Sequence, residues 1–246
     1  MTIRVGVGGW TYEPWRGVFY PEGLPQKREL EYAAQTLTTI EINATFYGRQ
    51  KPASFAKWRE AAPPGFKFSL KASQYATARK VLAESGESVK NFIEQGFTEL
   101  GEALGPINWQ FRATKTFDRD DFARFLDLIP DEQDGVALRH ALEPRHASFA
   151  DPAFYALARA RNMAIVFADD DAFPCIDEST ADFTYARLQR SVDRLKNGYA
   201  PKDLDHWAGQ ARDWAKGGRD VFVYFISGAK VRNPAAAQAL IQRLGE

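Results

Sequence analysis

Short β-rich runs alternate with amphipathic helical stretches along the whole of this 246-residue chain, and that alternation is the mark of parallel βα units. Eight strands are expected, near residues 3–8, 37–43, 66–71, 106–111, 136–143, 163–168, 183–188 and 220–226. Helices over 28–36, 52–61, 87–104, 118–129, 152–161, 202–216 and 234–244 fill most of the gaps. Asp151-Pro152 and Asn233-Pro234 each read as an N-cap acceptor followed by a proline suited to the first helical position. Eight βα units in a chain of this length predict an α/β fold, a single-domain (β/α)8 TIM-type barrel spanning residues 1–246. An open doubly wound sheet is the alternative. Gly6-Val7-Gly8-Gly9 weighs against it, because no third glycine follows and Trp10-Thr11-Tyr12 leads into a loop instead of a helix. The aromatic-rich loops 9–27 and 44–51 are expected to fold over the C-terminal mouth of the barrel.

Composition then removes several functional classes. The 32 basic and 32 acidic residues cancel, so no global field draws the chain to nucleic acid or anionic lipid. Cys175 is alone, which rules out an internal disulfide and a cysteine-based zinc cage. Met1 runs directly into Ile3-Arg4-Val5 without a signal-peptide core, and no apolar run approaches the ~20 residues of a membrane helix. A cytoplasmic protein with no membrane partner is expected. No cofactor motif is present, and the three histidines show no metal-ligand pairing, so neither a cofactor nor a metal is expected. The Asp169-Asp170-Asp171 run offers oxygen ligands of the kind magnesium or calcium takes; the favoured reading is a solvated turn in which Asp169 alone lies close enough to its strand to enter a site. The oligomeric state is not legible at this level.

Chemistry gathers where strands end. In a parallel barrel every strand's C-terminal end faces one side, and strand side chains point alternately to the helix layer and the interior. In Thr39-Ile40-Glu41-Ile42-Asn43 this parity sends Glu41 and Asn43 inward; in Phe66 to Lys71 it turns Ser69 and Lys71 inward. Ionised groups inside a barrel must be paired. Glu41, Lys71, Glu143 and Arg187 are therefore expected to neutralise one another across the mouth, either as catalytic groups or as a purely structural ion network. The densest cluster is Glu143-Pro144-Arg145-His146-Ala147-Ser148. There a carboxylate and an imidazole suit proton transfer and a guanidinium suits a two-point grip on carboxylate or phosphate; the competing reading is a capped strand end. His140 is expected in the strand core or facing the helices, and His206 on a helix surface. Ser227-Gly228-Ala229-Lys230 precedes the last helix, and with Arg190, Arg194 and Lys196 it makes one side of the mouth basic. Trp10, Tyr12, Trp15, Phe19, Tyr20, Phe46 and Tyr47 crowd the same end, as stacking surfaces or as the packing of a lid.

Together these residues resemble the YecE-like family, catalogued as a domain of unknown function and associated with a TIM-barrel-like fold. The resemblance rests on Gly6 to Tyr12 with Trp15, Gly17, Phe19, Tyr20 and Pro21, on Glu41 to Tyr47 with its Thr45, and on Phe66 to Lys71. It continues through Leu100-Gly101, Gly105-Pro106, Gln110, Glu143 to Phe149, Asp169, Tyr185 to Leu188, Tyr199, Trp207-Ala208 and Val223-Tyr224-Phe225. The chain departs from the family pattern at Gln189-Arg190, at Ile226-Ser227 and near Arg112-Ala113. The resemblance implies a fold and a shared mouth and supplies no reaction.

The leading expectation is an enzyme that binds an anionic, phosphorylated or carboxylated sugar-like small molecule and performs acid–base or hydrolytic chemistry. In it Glu143 and His146 move protons, Lys71 stabilises developing negative charge, and Glu41 orients substrate or these partners. Substrate contacts are expected from Trp10, Asn43, Thr45, Tyr47, Gln110, Arg145, Ser148, Asp169, Arg187, Tyr224, Ser227 and Lys230. On this reading Glu143→Gln abolishes turnover and leaves the melting temperature almost unchanged. Nucleic-acid binding or processing across the mouth, and a non-catalytic scaffold, are the other classes.

Overall fold

The computed structural model describes residues 2–245. Its strands are β1 (Ile3–Gly8), β2 (Thr39–Ile42), β3 (Lys67–Lys71), β4 (Leu104–Gln110), β5 (Glu132–Gln133), β6 (Val136–Ala137), β7 (His140–Glu143), β8 (Ala164–Ile165), β9 (Phe167–Asp169), β10 (Phe183–Leu188) and β11 (Asp220–Phe225). All except β5 and β6 form one parallel sheet in the order β8-β7-β4-β3-β2-β1-β11-β10-β9. The two edges of that sheet, β8 and β9, are consecutive in the chain and separated only by Val166, whose N–H donates to the Leu142 carbonyl at 2.9 Å. The sheet thus curls into a nearly closed barrel whose sixth wall is a strand broken in two. Around it lie α1 (Glu29–Thr36), α2 (Ala44–Tyr47), α3 (Pro52–Glu60), α4 (Gln74–Thr77), α5 (Gly86–Ile93), α6 (Arg119–Leu126), α7 (Pro152–Ala160), α8 (Pro201–Trp214) and α9 (Asn233–Leu244). This is the expected TIM-type architecture.

Two apolar bodies hold it together. The larger fills the layer between strands and helices and is rich in rings, with Phe111, Phe122, Phe125, Phe149 and Phe154 in mutual contact. The smaller lies inside the barrel and consists of Ala141, Ala164, Val166, Phe183, Tyr185, Phe222, Tyr224 and Ile226. Those residues come from the β7 to β11 side, so the opposite inner wall is left to polar groups. On that wall Gly6 faces β2 so closely that an added Cβ would stand 1.8 Å from the Thr39 carbonyl oxygen; only glycine permits the approach.

Several boundaries differ from the sequence reading. The expected strand 136–143 begins instead as a small hairpin, β5 with β6, turned by Asp134 and Gly135 at φ 52° and 76°. Asp-Gly between short extended runs is the signature of such a turn, and the barrel strand starts only at His140. The expected helix 87–104 ends at Ile93 and resumes as a 3-10 segment, because Gly96 and Gly101 adopt φ 89° and 54°. Asp151 caps α7 by accepting from the Ala153 N–H at 2.7 Å. Asn233 does not cap α9: it lies in the helix, accepts from the Ser191 hydroxyl at 2.7 Å and donates to the Ser227 carbonyl at 3.1 Å, pinning two mouth loops together.

Candidate functional site

Parity works as the sequence implies. Glu41, Lys71, Gln110, Glu143 and Arg187 are all carried to the C-terminal end of the barrel interior by β2, β3, β4, β7 and β10. Arg187 is the hub. Its Nη1 donates to both Glu143 oxygens at 2.7 Å, and its Nη2 donates to Glu41 Oε1 at 3.0 Å. Arg145 closes a second fork on Glu143 Oε1 from Nε at 3.0 Å and Nη2 at 2.9 Å, and the same Nη2 donates to Gln110 Oε1. Arg145 also lies over the Phe173 ring, 4.4 Å from its centre.

Two further members were not among the sequence candidates. The Asn108 amide donates to Glu143 Oε2 at 2.8 Å, and the Tyr185 hydroxyl donates to Glu41 Oε2 at 2.6 Å. Their signal was available in the alternation itself. Asn108 precedes Gln110 by two residues, and Tyr185 precedes Arg187 by two, so each shares its inward face.

The two carboxylates are fully buried and saturated. Burial by itself would raise the Glu143 pKa, yet Arg187, Arg145 and Lys71 outweigh it and hold the group down at about 2. Burial likewise disfavours the Arg187 cation, but Glu143 and Glu41 overcome this and raise its pKa above the ordinary value. Glu143 therefore does not suit the proton-moving role that its place in the cluster suggested. Its oxygens are committed to cations, and its basicity near neutral pH is very low.

Lys71 is different in kind. It is only 6% exposed, yet among the described residues it makes no ion pair. Its ammonium instead lies 4.1 Å from the centre of the Phe46 ring, which α2 lays over the mouth. Burial pushes its pKa down to about 8, with Arg187 adding to the effect and Glu41 and Glu143 opposing it.

The remaining expected residues separate into groups. Trp10, Asn43 and Lys230 line a cleft of about 270 Å³ together with Gly8, Thr11 and Tyr12. A Cβ on Gly8 would come within 3.9 Å of Glu41 Oε1 and 3.2 Å of the Asn43 amide nitrogen, so the cleft floor borders the buried network. Lys230 sits 4.2 Å from the Tyr12 ring centre, and its pKa is lowered by burial. Tyr224 lies deeper, its hydroxyl hydrogen-bonded to Ser69 and Thr39. Thr45 is a strand-end clamp that donates to the Lys71 carbonyl at 2.7 Å. Tyr47 is 67% exposed.

His146 and Ser148 form a local turn. The imidazole Nδ1 accepts from the Ser148 N–H at 3.2 Å and meets its hydroxyl at 2.8 Å, while that hydroxyl accepts from the Phe117 N–H. The capped strand end describes His146, and it is not joined to the carboxylate network. Asp169 pairs with Arg190 at 3.0 Å, and burial raises its pKa against the pull of that arginine. Ser227 donates to Gln189 Oε1 at 3.2 Å. His140 faces the helix layer between Trp109 and the Pro130 carbonyl, with burial lowering its pKa to about 4. Trp15, Phe19 and Tyr20 are buried packing of the first loop, with the Trp15 indole donating to the Lys230 carbonyl at 2.9 Å.

No helix among the described residues is long and apolar enough to cross a membrane. Comparison with curated proteins finds no match. Among solved structures, a DUF72 family protein from Thermotoga maritima is similar over 100% of both chains, at 24% identity and a TM-score of 0.80. A DUF72 family protein from Enterococcus faecalis is similar at 16% identity and a TM-score of 0.75, over 100% of this chain and 98% of the other. A D-psicose 3-epimerase from Clostridium cellulolyticum, solved with D-tagatose, shares the fold at 13% identity and a TM-score of 0.53, over 99% of this chain and 96% of the other. Residues 4–246 match the family described as protein of unknown function DUF72; the chain, barrel and mouth together, belongs to that family.

Proposed function

We propose that the protein is an enzyme acting on an anionic, sugar-like small molecule held at the C-terminal mouth, with Lys71 as the group that exchanges a proton with substrate. One observation carries this reading: a buried lysine at the centre of the mouth has an aromatic ring as neighbour where a structural lysine would have a carboxylate. Buried lysines are otherwise almost always paired. A pKa of about 8 places it where it can both take and give a proton near neutrality. Glu41 and Glu143 are the frame that fixes Arg187 and Arg145, a role of orientation and not of proton transfer.

The charge balance supports an anionic ligand. Among the described residues, Lys71, Arg145 and Arg187 outnumber Glu41 and Glu143 by one positive charge in the buried network, and Lys230 adds another in the cleft of Trp10, Tyr12 and Asn43, whose floor borders Glu41. Aromatic walls with amide and ammonium groups suit a hydroxylated ring bearing an acid. The likeness to a structure holding D-tagatose is one of fold and adds only that such a barrel can accommodate a sugar. Burial of Trp15, Phe19 and Tyr20 favours a compact ligand over a nucleic-acid strand, which needs a run of exposed rings.

Thermal melting with glucose 6-phosphate, glucuronate and inorganic phosphate tests this reading. Ligand at about a hundred times its Kd adds about 2.7 kcal/mol of stability, a rise of several degrees. The rise is expected with at least one sugar acid or sugar phosphate and is lost in Lys71→Met. No rise with any member of a broad panel of such compounds overturns it.

A further inference from the structure

The surroundings of Lys71 contain more than a proton carrier needs. A lysine becomes a nucleophile toward carbonyl carbon when it is desolvated, unpaired and set beside another cation, since each condition favours the free amine. All three hold here. Lys71 is buried, lacks an ion pair among the described residues, and shares the barrel interior with Arg187, whose charge opposes its own. The two carboxylates that could have quenched it are already bound by Arg187, Arg145, Asn108 and Tyr185.

We propose that Lys71 condenses with the carbonyl group of its substrate to form an imine, so that the substrate class is an aldehyde or ketone carrying a carboxylate or phosphate. This rests on the reading of the mouth as an anion-binding active site and names the substrate class of that site. The Lys71 nitrogen lone pair forms the new C–N bond while the C=O π pair moves to oxygen, and a proton passes from the nitrogen to that oxygen to give a neutral carbinolamine whose nitrogen again holds a lone pair. Its hydroxyl then takes the proton that the ammonium gave up on becoming the free amine, and leaves as water as the nitrogen pair closes the C=N bond. The result is a protonated imine. Addition of water reverses the sequence and frees the amine, so no oxidant or reductant is required. The protonated imine carries the same single positive charge as the ammonium it replaces, at the same point opposite Glu41 and Glu143. The network that tolerates one tolerates the other. Phe46, two residues beyond the Ala44 that lines the cleft, lies with its ring face 4.1 Å from the amine and keeps water from that side of it.

Borohydride trapping tests this. The protein is incubated separately with pyruvate and with dihydroxyacetone phosphate, reduced with sodium borohydride, and read by intact mass and peptide mapping. The expected result is an adduct, heavier by the carbonyl compound less one oxygen, on the peptide containing Lys71. It is lost completely in Lys71→Met and in Lys71→Arg, both checked for folding by circular dichroism. No adduct on Lys71 with either probe, or labelling that persists unchanged in the two variants, overturns imine formation. Melting curves of the same mixtures without reductant separate the two levels. Stabilisation without an adduct leaves the anion-binding site standing and removes the imine, whereas absence of both removes the two together.

Discussion

The two sides of the barrel mouth solve the same electrostatic problem in opposite ways. On the β7 and β10 side, Glu143 and Arg187 are buried with every charge matched, Arg187 forking across two carboxylates and Arg145 completing the shell. On the β3 side, Lys71 is almost equally buried but makes no ion pair among the described residues, its ammonium lying against the face of the Phe46 ring. The first side is a frame, stable because each charge has its partner; the second stores an unfavourable charge. A protein tolerates such a cost where function repays it. The contrast assigns rigidity to one side and chemistry to the other.

The most severe way to break the contrast is to remove the hub. Arg187→Leu strands the buried Glu41 and leaves Glu143 with Arg145 as its one ion-pair partner among the described residues, and is expected to cost about 5 kcal/mol, the top of the range for a broken buried pair; chemical denaturation measures it, and a loss below about 1 kcal/mol contradicts the frame. Glu143→Gln comes next, at about 3–5 kcal/mol. This reverses the sequence expectation of an almost unchanged melting temperature, because Glu143 proves to be fully buried and saturated. Its depressed pKa means that its stabilisation is complete above the ordinary carboxylate range and is lost as pH falls toward about 2. Acid titration of the wild type against Glu143→Gln should show their difference shrinking over that window.

Lys71→Met should move stability the other way. A lysine whose folded pKa is about 8 binds fewer protons folded than unfolded between about 8 and its ordinary value of 10.5, so the wild type gains stability as pH rises through that window. Below pH 8 the variant is expected to be more stable by about 2–3 kcal/mol, with the advantage vanishing in alkaline solution. A destabilised Lys71→Met at neutral pH would place Lys71 in the frame after all. Tyr185→Phe is the mildest test. It removes one hydrogen bond to Glu41 and should cost about 1.5–3 kcal/mol, read as a shift in urea midpoint with unchanged slope.

Much of this arrangement was legible beforehand, and the reason is geometric. Alternation assigned Glu41, Lys71 and Ser69 to the interior, and the parallel order of strands gathered them with Glu143 and Arg187 at one end. What failed were local readings of loops and boundaries. His146 and Ser148 stand beside Glu143 in the chain, yet they close a turn on each other. Asn233 precedes a proline as an N-cap would, yet tertiary partners at Ser191 and Ser227 claim its amide. Asn108 and Tyr185 share the inward parity of Gln110 and Arg187, but an amide and a phenol take their role from what they touch across the barrel. Only the adjacent carboxylates give them a role.

By itself the sequence determined the barrel and which side chains face its interior, because both follow from periodicities that each strand expresses locally. Tertiary structure alone decided who pairs with whom. Glu41 and Arg187 lie on strands that are not neighbours, and their contact crosses the barrel, where it depends on the closure of the whole sheet. The planar fork of arginine can bridge two carboxylates at once, whereas the ammonium of lysine is a single point of charge. Once Arg187 and Arg145 had claimed both carboxylates, Lys71 was left with Phe46.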